Sequence, residues 1–290
     1  MDAYLRELSE ELRRRNVPRA RRRRLLAESE DHLRGDPAAL ARFGDAPSLA
    51  QRCADELGSL TARRTSFTAF AVLAFGGLVF GALLLAMFTV VPARALACCT
   101  TSAPLQAFTV GLLMVAPQVA FVAGLLAVIR AFRLRAVTPL PAAEVRVLRR
   151  RTAVALVSGV AAMLALVLFA VEYARVLPAW SGPAAYAGGA VSASLLLAVA
   201  VPAVASTRIR VRTAGGAGDL FADIGPAVPA PIRGHPWVFA AAVALGLALI
   251  VFAPGAAADD AYDAALRATA EALACLVGFA VLGRFLGLRA

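Results

Sequence analysis

The sequence predicts an all-α membrane protein, a small cytoplasmic helical domain followed by a six-helix transmembrane bundle, and three observations carry that prediction. First, 60% of the 290 residues are hydrophobic, against about 45 to 50% in an ordinary globular chain, and the mean hydropathy is +0.72. Second, residues 66–91 contain no charged side chain, and similar runs follow at about 105–129, 152–171, 185–207, 236–256 and 265–283. A helix needs roughly 20 apolar residues to cross the hydrocarbon core, so six spans are expected. The fifth run carries Pro254 near its outer end, and the sixth opens with Arg267 and Glu271, which are expected at the interface.

Third, the arginines alternate between the two sides. There are 14 before the first run, then 1, 7, 1, 4 and 1 in successive loops and 2 at the C-terminal end. With six spans, 27 of them fall on one side and 3 on the other. Short cytoplasmic loops accumulate arginine, so both termini, with the loops 133–151 and 208–235, are expected inside. All 30 basic residues are arginine and Asn16 is the single asparagine. That bias, with the abundant alanine, is the pattern of a high-GC bacterial genome, which makes the bacterial cytoplasmic membrane the expected location.

The same count accounts for the net charge of +11 without nucleic acid. Residues 1–64 hold 14 arginines against 11 acids, a net +3. Within them Arg19, Arg21, Arg22, Arg23 and Arg24 form a basic cluster. It suits anionic lipid headgroups, at about 1 kcal/mol per side chain near the surface, or a solvated helix face; no aromatic residues interleave to stack on bases. No apolar run long enough for a signal peptide lies in this segment. Four cysteines, Cys53, Cys98, Cys99 and Cys275, are too few and too scattered for a disulfide framework.

Residues 1–60 form the domain ahead of the spans, with 61–65 a short arginine-containing linker to the transmembrane part, 66–290. Leu5, Leu8 and Leu12 recur at helical spacing. Pro18 suits the first turn of a second helix bearing Leu25, Leu26 and Leu33, and Gly35 is expected to supply a left-handed stop. Asp36 and Pro37 restart the chain, a short segment carries Leu40 and Phe43, and Gly44 ends it. Asp45 and Pro47 then open a helix with Leu49, Cys53 and Leu57.

Tyr4, Leu5 and Leu8, then Leu25, Leu26, Glu28, Glu30, His32 and Leu33, then the run from Arg42 through Phe43, Gly44, Asp45, Ala46, Pro47, Ser48 and Leu49 to Ala50 resemble the HAAS-type helical domain. That domain also occurs as the prefix of some bacterial permeases. The segment between Leu33 and Leu40 is short for the family, and the proline of its glycine-aspartate-proline turn comes one residue late, at Pro47. The resemblance implies a signalling or regulatory role, with Leu5, Leu8, Leu25, Leu33, Phe43, Gly44 and Asp45 as domain core or partner surface, and Arg21, Arg22, Arg23 and Arg24 are the candidate membrane-surface contacts. The partner would be a cytoplasmic regulatory protein or a permease component.

No catalytic, cofactor-binding or metal site is expected. His32 and His235 have no metal-ligand spacing, and no Walker loop, nucleophile elbow or His-Glu-x-x-His is present. The glycines 215, 216 and 218 read as a flexible loop, residues 219–224 as a short amphipathic turn, and Asp259, Asp260 and Asp263 as a solvated acidic cluster. The span centres hold no ionisable group of the kind a coupled transporter retains; Arg130, Glu172 and Arg284 read as end anchors. A candidate pathway consists of Pro117 and Gln118 in the second span, with Ser192 and Ser194 before Pro202 in the fourth. Gly77 with Gly81, and Ala274 with Gly278, have the spacing of close helix packing within one chain or between copies in a homo-oligomer. The function expected is that of a non-enzymatic multi-pass protein with a regulatory domain, the alternative being a permease or exporter component.

Overall fold

The computed structural model describes residues 2–36, 42–90, 103–172, 179–207, 209, 235–258 and 261–286. Among the described residues there are eight helices and no strand: α1 Asp2–Arg14, α2 Arg19–Gly35, α3 Ala46–Val90, α4 Ala103–Arg133, α5 Ala142–Glu172, α6 Ser181–Thr207, α7 Pro236–Ala258 and α8 Ala261–Leu286. Five of them contain stretches long and apolar enough to cross a membrane: Phe108–Arg133, Ala142–Glu172, Gly182–Val201, Pro236–Ala253 and Ala264–Leu286. The first expected run, 66–91, forms the second half of α3; residue 91 and the side chains of 83–90 lie outside the described residues. So do Pro37, Leu40, Cys98, Cys99, 210–234, Asp259 and Asp260.

Helix α3 has 45 residues and is therefore about 67 Å long at 1.5 Å per residue. Residues 61–65, read from the sequence as a linker, are helical and part of it. The hydroxyls there bond their own helix: Thr61 Oγ1 donates to Leu57 O at 2.6 Å, Thr65 Oγ1 to Thr61 O at 2.8 Å and Ser66 Oγ to Ala62 O at 2.9 Å. Serine and threonine placed this way hide their polar groups in the backbone. The helix thus crosses from polar to apolar surroundings without a break.

The first half of α3 is built into the N-terminal helices. Leu8, Leu12, Val17, Ala46, Ala50 and Ala54 form one buried cluster, against which Tyr4, Leu25, Leu26, Leu49, Cys53 and Leu57 pack. Alanine on α3 lets α1 approach closely while leucine on α1 fills the gap. Two residues past α1 the chain turns at Asn16, whose φ is +58°, with Val17 N bonded to Leu12 O at 3.0 Å; asparagine tolerates this left-handed conformation better than most residues. Gly35, by contrast, is the last residue of α2, and Asp36 is extended at φ −145°, so the left-handed stop expected at Gly35 is not made. Pro18 caps α2 from outside its first turn. Gly44 is left-handed at φ +74°, and Asp45 caps α3: Ser48 N donates to its Oδ2 at 3.1 Å. Burial pushes up the Tyr4 phenol and the Cys53 thiol, leaving Cys53 a packing residue rather than a reactive one.

In the bundle α3 touches α4, α5 and α6, α5 touches α4 and α6, and α7 packs on α8, which meets α4. Of the apolar stretches, that of α5 is 44% buried and that of α7 only 11%, so α5 is central and α7 peripheral. The outer face is apolar: Leu78, Val157, Leu197, Val201 and Ile250 are all exposed, a surface suited to lipid rather than water. Helices α4 and α5 extend beyond their apolar runs, so that the loop between them shrinks to residues 134–141. It is fastened to α3, because Arg63 Nη2 donates to Leu134 O at 2.6 Å and Ser59 Oγ accepts from Leu140 N at 2.8 Å. At the same end Arg130, read as an anchor, forms a two-pronged pair with Glu144 at 2.9 and 2.7 Å. Arg151, only 1% exposed, donates to Leu126 O at 3.0 Å.

The expected glycine contacts divide. Ala274 is buried and an added Cβ on Gly278 would lie 3.6 Å from Val119, whereas nothing lies within 4 Å of Gly77 or Gly81. The tight approaches are instead at Gly124, 3.1 Å from Phe70, and at Gly159, where a Cβ would collide with Leu73.

Two outcomes follow for stability. Both partners of the Arg130 and Glu144 pair are nearly buried, with side chains 13% and 12% exposed, so Arg130→Met alone strands a carboxylate. It should cost about 3–5 kcal/mol, while the double change with Glu144→Leu should recover most of that loss, as read by denaturant titration in detergent. Asp45, held below its ordinary value of 3.8 chiefly by hydrogen bonding from Ser48, contributes stability that is fully present above the unfolded pKa and lost as pH falls through the lowered folded one. Asp45→Ala should therefore lower the melting point of the N-terminal helices at pH 7, and the gap to the parent should narrow below pH 3.8.

Candidate functional site

Between α3, α4, α5 and α6 the bundle leaves a cavity of 380 Å³. Small residues open it: Gly76 and Gly77 on α3 and Ala162 on α5. Pro117, Phe121, Met163 and Leu196 give it an almost wholly apolar wall, and Ser192 is its hydroxyl. Ser192 is buried, with its Oγ 3.9 Å from a Cβ placed on Gly76. Pro117 has no N–H to give the preceding turn, so one carbonyl of α4 loses its helical donor beside the cavity. An interior of this size with one or two polar groups suits a small apolar ligand or an alkyl segment.

The next residue points the other way. Gln118 Nε2 donates to Glu271 Oε1 of α8 at 2.7 Å. Gln118 is the central residue of α4, about 18 Å along the helix from Arg130 and about 14 Å from Thr109 at 1.5 Å per residue. The carboxylate expected at the interface thus sits at mid-height of the apolar helices, and the reading that the span centres hold no ionisable group does not survive. Carboxyl groups in such surroundings are costly and are retained where they serve a purpose. Beside the pair a second cavity of 130 Å³ is lined by Gln118, Val119, Phe239, Ala240, Cys275 and Gly278, among others. Trp237 closes against Phe279 edge-on, with centroids 5.3 Å apart. At the opposite end of the bundle from Arg130, Thr109 Oγ1 donates to Glu172 Oε1 at 3.1 Å.

Of the candidate pathway, Pro117 and Ser192 share the larger cavity and Gln118 lines the smaller one. Ser194 is exposed and its Oγ returns to Ala190 O at 2.8 Å; the side chain of Pro202 lies outside those described. Leu8 and Leu33 are buried, Leu5, Leu25 and Phe43 are half-buried, and Gly44 and Asp45 are exposed in the turn that starts α3. Arg21, Arg23 and Arg24 are exposed and Arg22 is half-buried, with Arg24 paired to Glu28 at 2.8 Å. His32 lies 6.4 Å from the Phe43 ring and His235 is exposed at the start of α7. Among the described residues no three His, Cys, Asp or Glu side chains converge. Sequence reasoning missed Glu271 as the partner of Gln118. Its one signal was an acid inside an otherwise apolar stretch.

No protein-family model, no curated protein and no solved structure matches the chain.

Proposed function

We propose that the chain is a multi-pass membrane transducer, in which the state of the apolar cavity and the arrangement of the N-terminal helices are coupled through α3. The observation that carries this reading is the continuity of α3. One half belongs to the cluster of Leu8, Leu12 and Val17, and the other supplies Val72, Leu73, Gly76 and Gly77 to the cavity wall. No proline interrupts α3 between residues 48 and 90, and beside Gly58 the hydroxyls of Ser59 and Thr61 return to the helix's own carbonyls, so a tilt at the cavity is expected to displace residues 46–60. The resemblance to HAAS-type domains supports a regulatory role, with a cytoplasmic protein as partner. The arginine distribution supports six spans in a bacterial cytoplasmic membrane with both termini inside.

Ala162→Phe, which fills the cavity from α5, should change amide hydrogen exchange across residues 2–34 several-fold. The change should shrink when Leu60→Gly and Arg64→Gly soften α3 at two exposed positions. Exchange in the N-terminal helices that ignores the filled cavity would remove the basis for coupling.

The Gln118 and Glu271 pair favours a second reading, a permease component that uses the carboxyl group as a proton carrier. Uptake into proteoliposomes driven by a pH gradient and lost in Glu271→Gln would support it. Uptake equal in parent and variant would exclude Glu271 from the path.

A further inference from the structure

Helices α5 and α6 diverge at the arginine-rich end of the bundle and leave a groove of 160 Å³. Arg149, Ala153 and Val157 run along one face of α5 at four-residue spacing, and Ala200, Ala203 and Val204 of α6 face them across it. Thr65 and Thr152 sit beside Arg149, and no acidic residue lines the groove. Cation and hydroxyls are at one end, and the remainder is hydrocarbon.

Among the described residues no acidic side chain pairs with Arg149. Its Nη1 reaches Ile209 O at a long 3.5 Å, while Nε and Nη2 are shut off from water with no hydrogen-bond partner. A guanidinium has five donors in a planar fork and cannot shed its charge, so leaving two nitrogens unsatisfied is expensive. Arg64, Arg146 and Arg150 are exposed at neighbouring positions of α3 and α5, which makes the groove's mouth positive. None of these residues is needed by the cavity or by the Gln118 and Glu271 pair.

We propose that this groove holds an anionic phospholipid, its phosphate on Arg149 and one acyl chain along Ala153, Val157 and Val204. The fork accepts a phosphate with two parallel hydrogen bonds, and basic recesses between membrane helices are suited to anionic headgroups. A lipid is favoured over a free anion because the groove continues from the cation into a purely apolar channel, which only a molecule with a tail can fill.

The test compares the full-length protein in vesicles of phosphatidylglycerol, in vesicles of phosphatidylcholine, and in the latter with inorganic phosphate, reading the melting temperature and the lipid retained after detergent extraction. Phosphatidylglycerol should raise the melting temperature and remain bound, and neither of the other conditions should do so. Arg149→Met should abolish the preference, Arg149→Lys should keep part of it, and Arg150→Ala should leave it in place. Should Arg149→Met fail to fold, Ala153→Phe blocks the channel with the cation intact and should abolish the preference equally. Equal stabilisation by both lipids, a preference that survives Ala153→Phe, or full replacement of the lipid by inorganic phosphate would overturn the proposal.

Discussion

The apolar girdle makes a polar group inside it costly unless it finds a partner, and helix α3 shows how that constraint shapes the whole molecule. It is helical without interruption from Ala46 to Val90, and Thr61, Thr65 and Ser66 return their hydroxyls to its own carbonyls. A break near residue 62 would expose unpaired backbone where water thins out, at several kcal/mol per group. Continuity is therefore the low-energy solution, and it ties the helices before the bundle to the bundle itself. Ser66 also meets Thr152 of α5 at 3.0 Å, so α3 is fastened to the central helix at the level where it enters the apolar layer.

Close packing then depends on where side chains are missing. Gly159 admits Leu73 and Gly124 admits Phe70, which draws α3 against α4 and α5 at one height. Farther along, Gly76, Gly77 and Ala162 remove more volume than Leu73, Phe121 and Leu196 refill, and the 380 Å³ cavity results. The same residue type thus tightens one level and hollows the next. A Cβ added to Gly77 or Gly81, spaced as a packing motif, would meet nothing within 4 Å among the described residues.

The apolar runs were legible in the sequence because hydrocarbon tolerates few exceptions over 20 residues, and the turn at Gly44 and Asp45 because left-handed backbone and capping each demand particular residue types. The helix ends were not. Charge at Arg146, Arg149, Arg150 and Arg151 suggested a loop, yet arginine is a good helix former, and α5 begins at Ala142 because Glu144 and Arg151 find partners on α4. Half of the candidate site was equally hidden. Gln118 and Glu271 are 153 positions apart, so no local spacing links them, and only the fold brings α8 beside α4. Pro117 and Ser192 were each legible as exceptions in apolar helices, but their sharing of one cavity depends on α3 standing between them. Asn16 offered a signal that went unused: an asparagine just past an amphipathic helix marks a left-handed stop.

The polar links divide the bundle into parts of unequal rigidity. Helix α4 is bonded to α5 near both ends, through Arg130 to Glu144, through Leu126 O to Arg151 and through Thr109 to Glu172. Those two helices form a fixed post. Helix α8 meets the post through the Gln118 to Glu271 bond, through Gly278 seated on Val119 and through Leu282, buried with Val119, Ala123 and Ala155; α7 packs on α8. On the other face α3 meets the post at Ser66 and then borders the cavity. A pair of contacts at opposite ends resists tilting. Helix α3 is further held to the post's loop by Arg63 to Leu134 O and by Leu140 N to Ser59. Because Pro117 lines the cavity and Gln118 bonds Glu271, adjacent residues of α4 face the cavity and the half-buried carboxyl group.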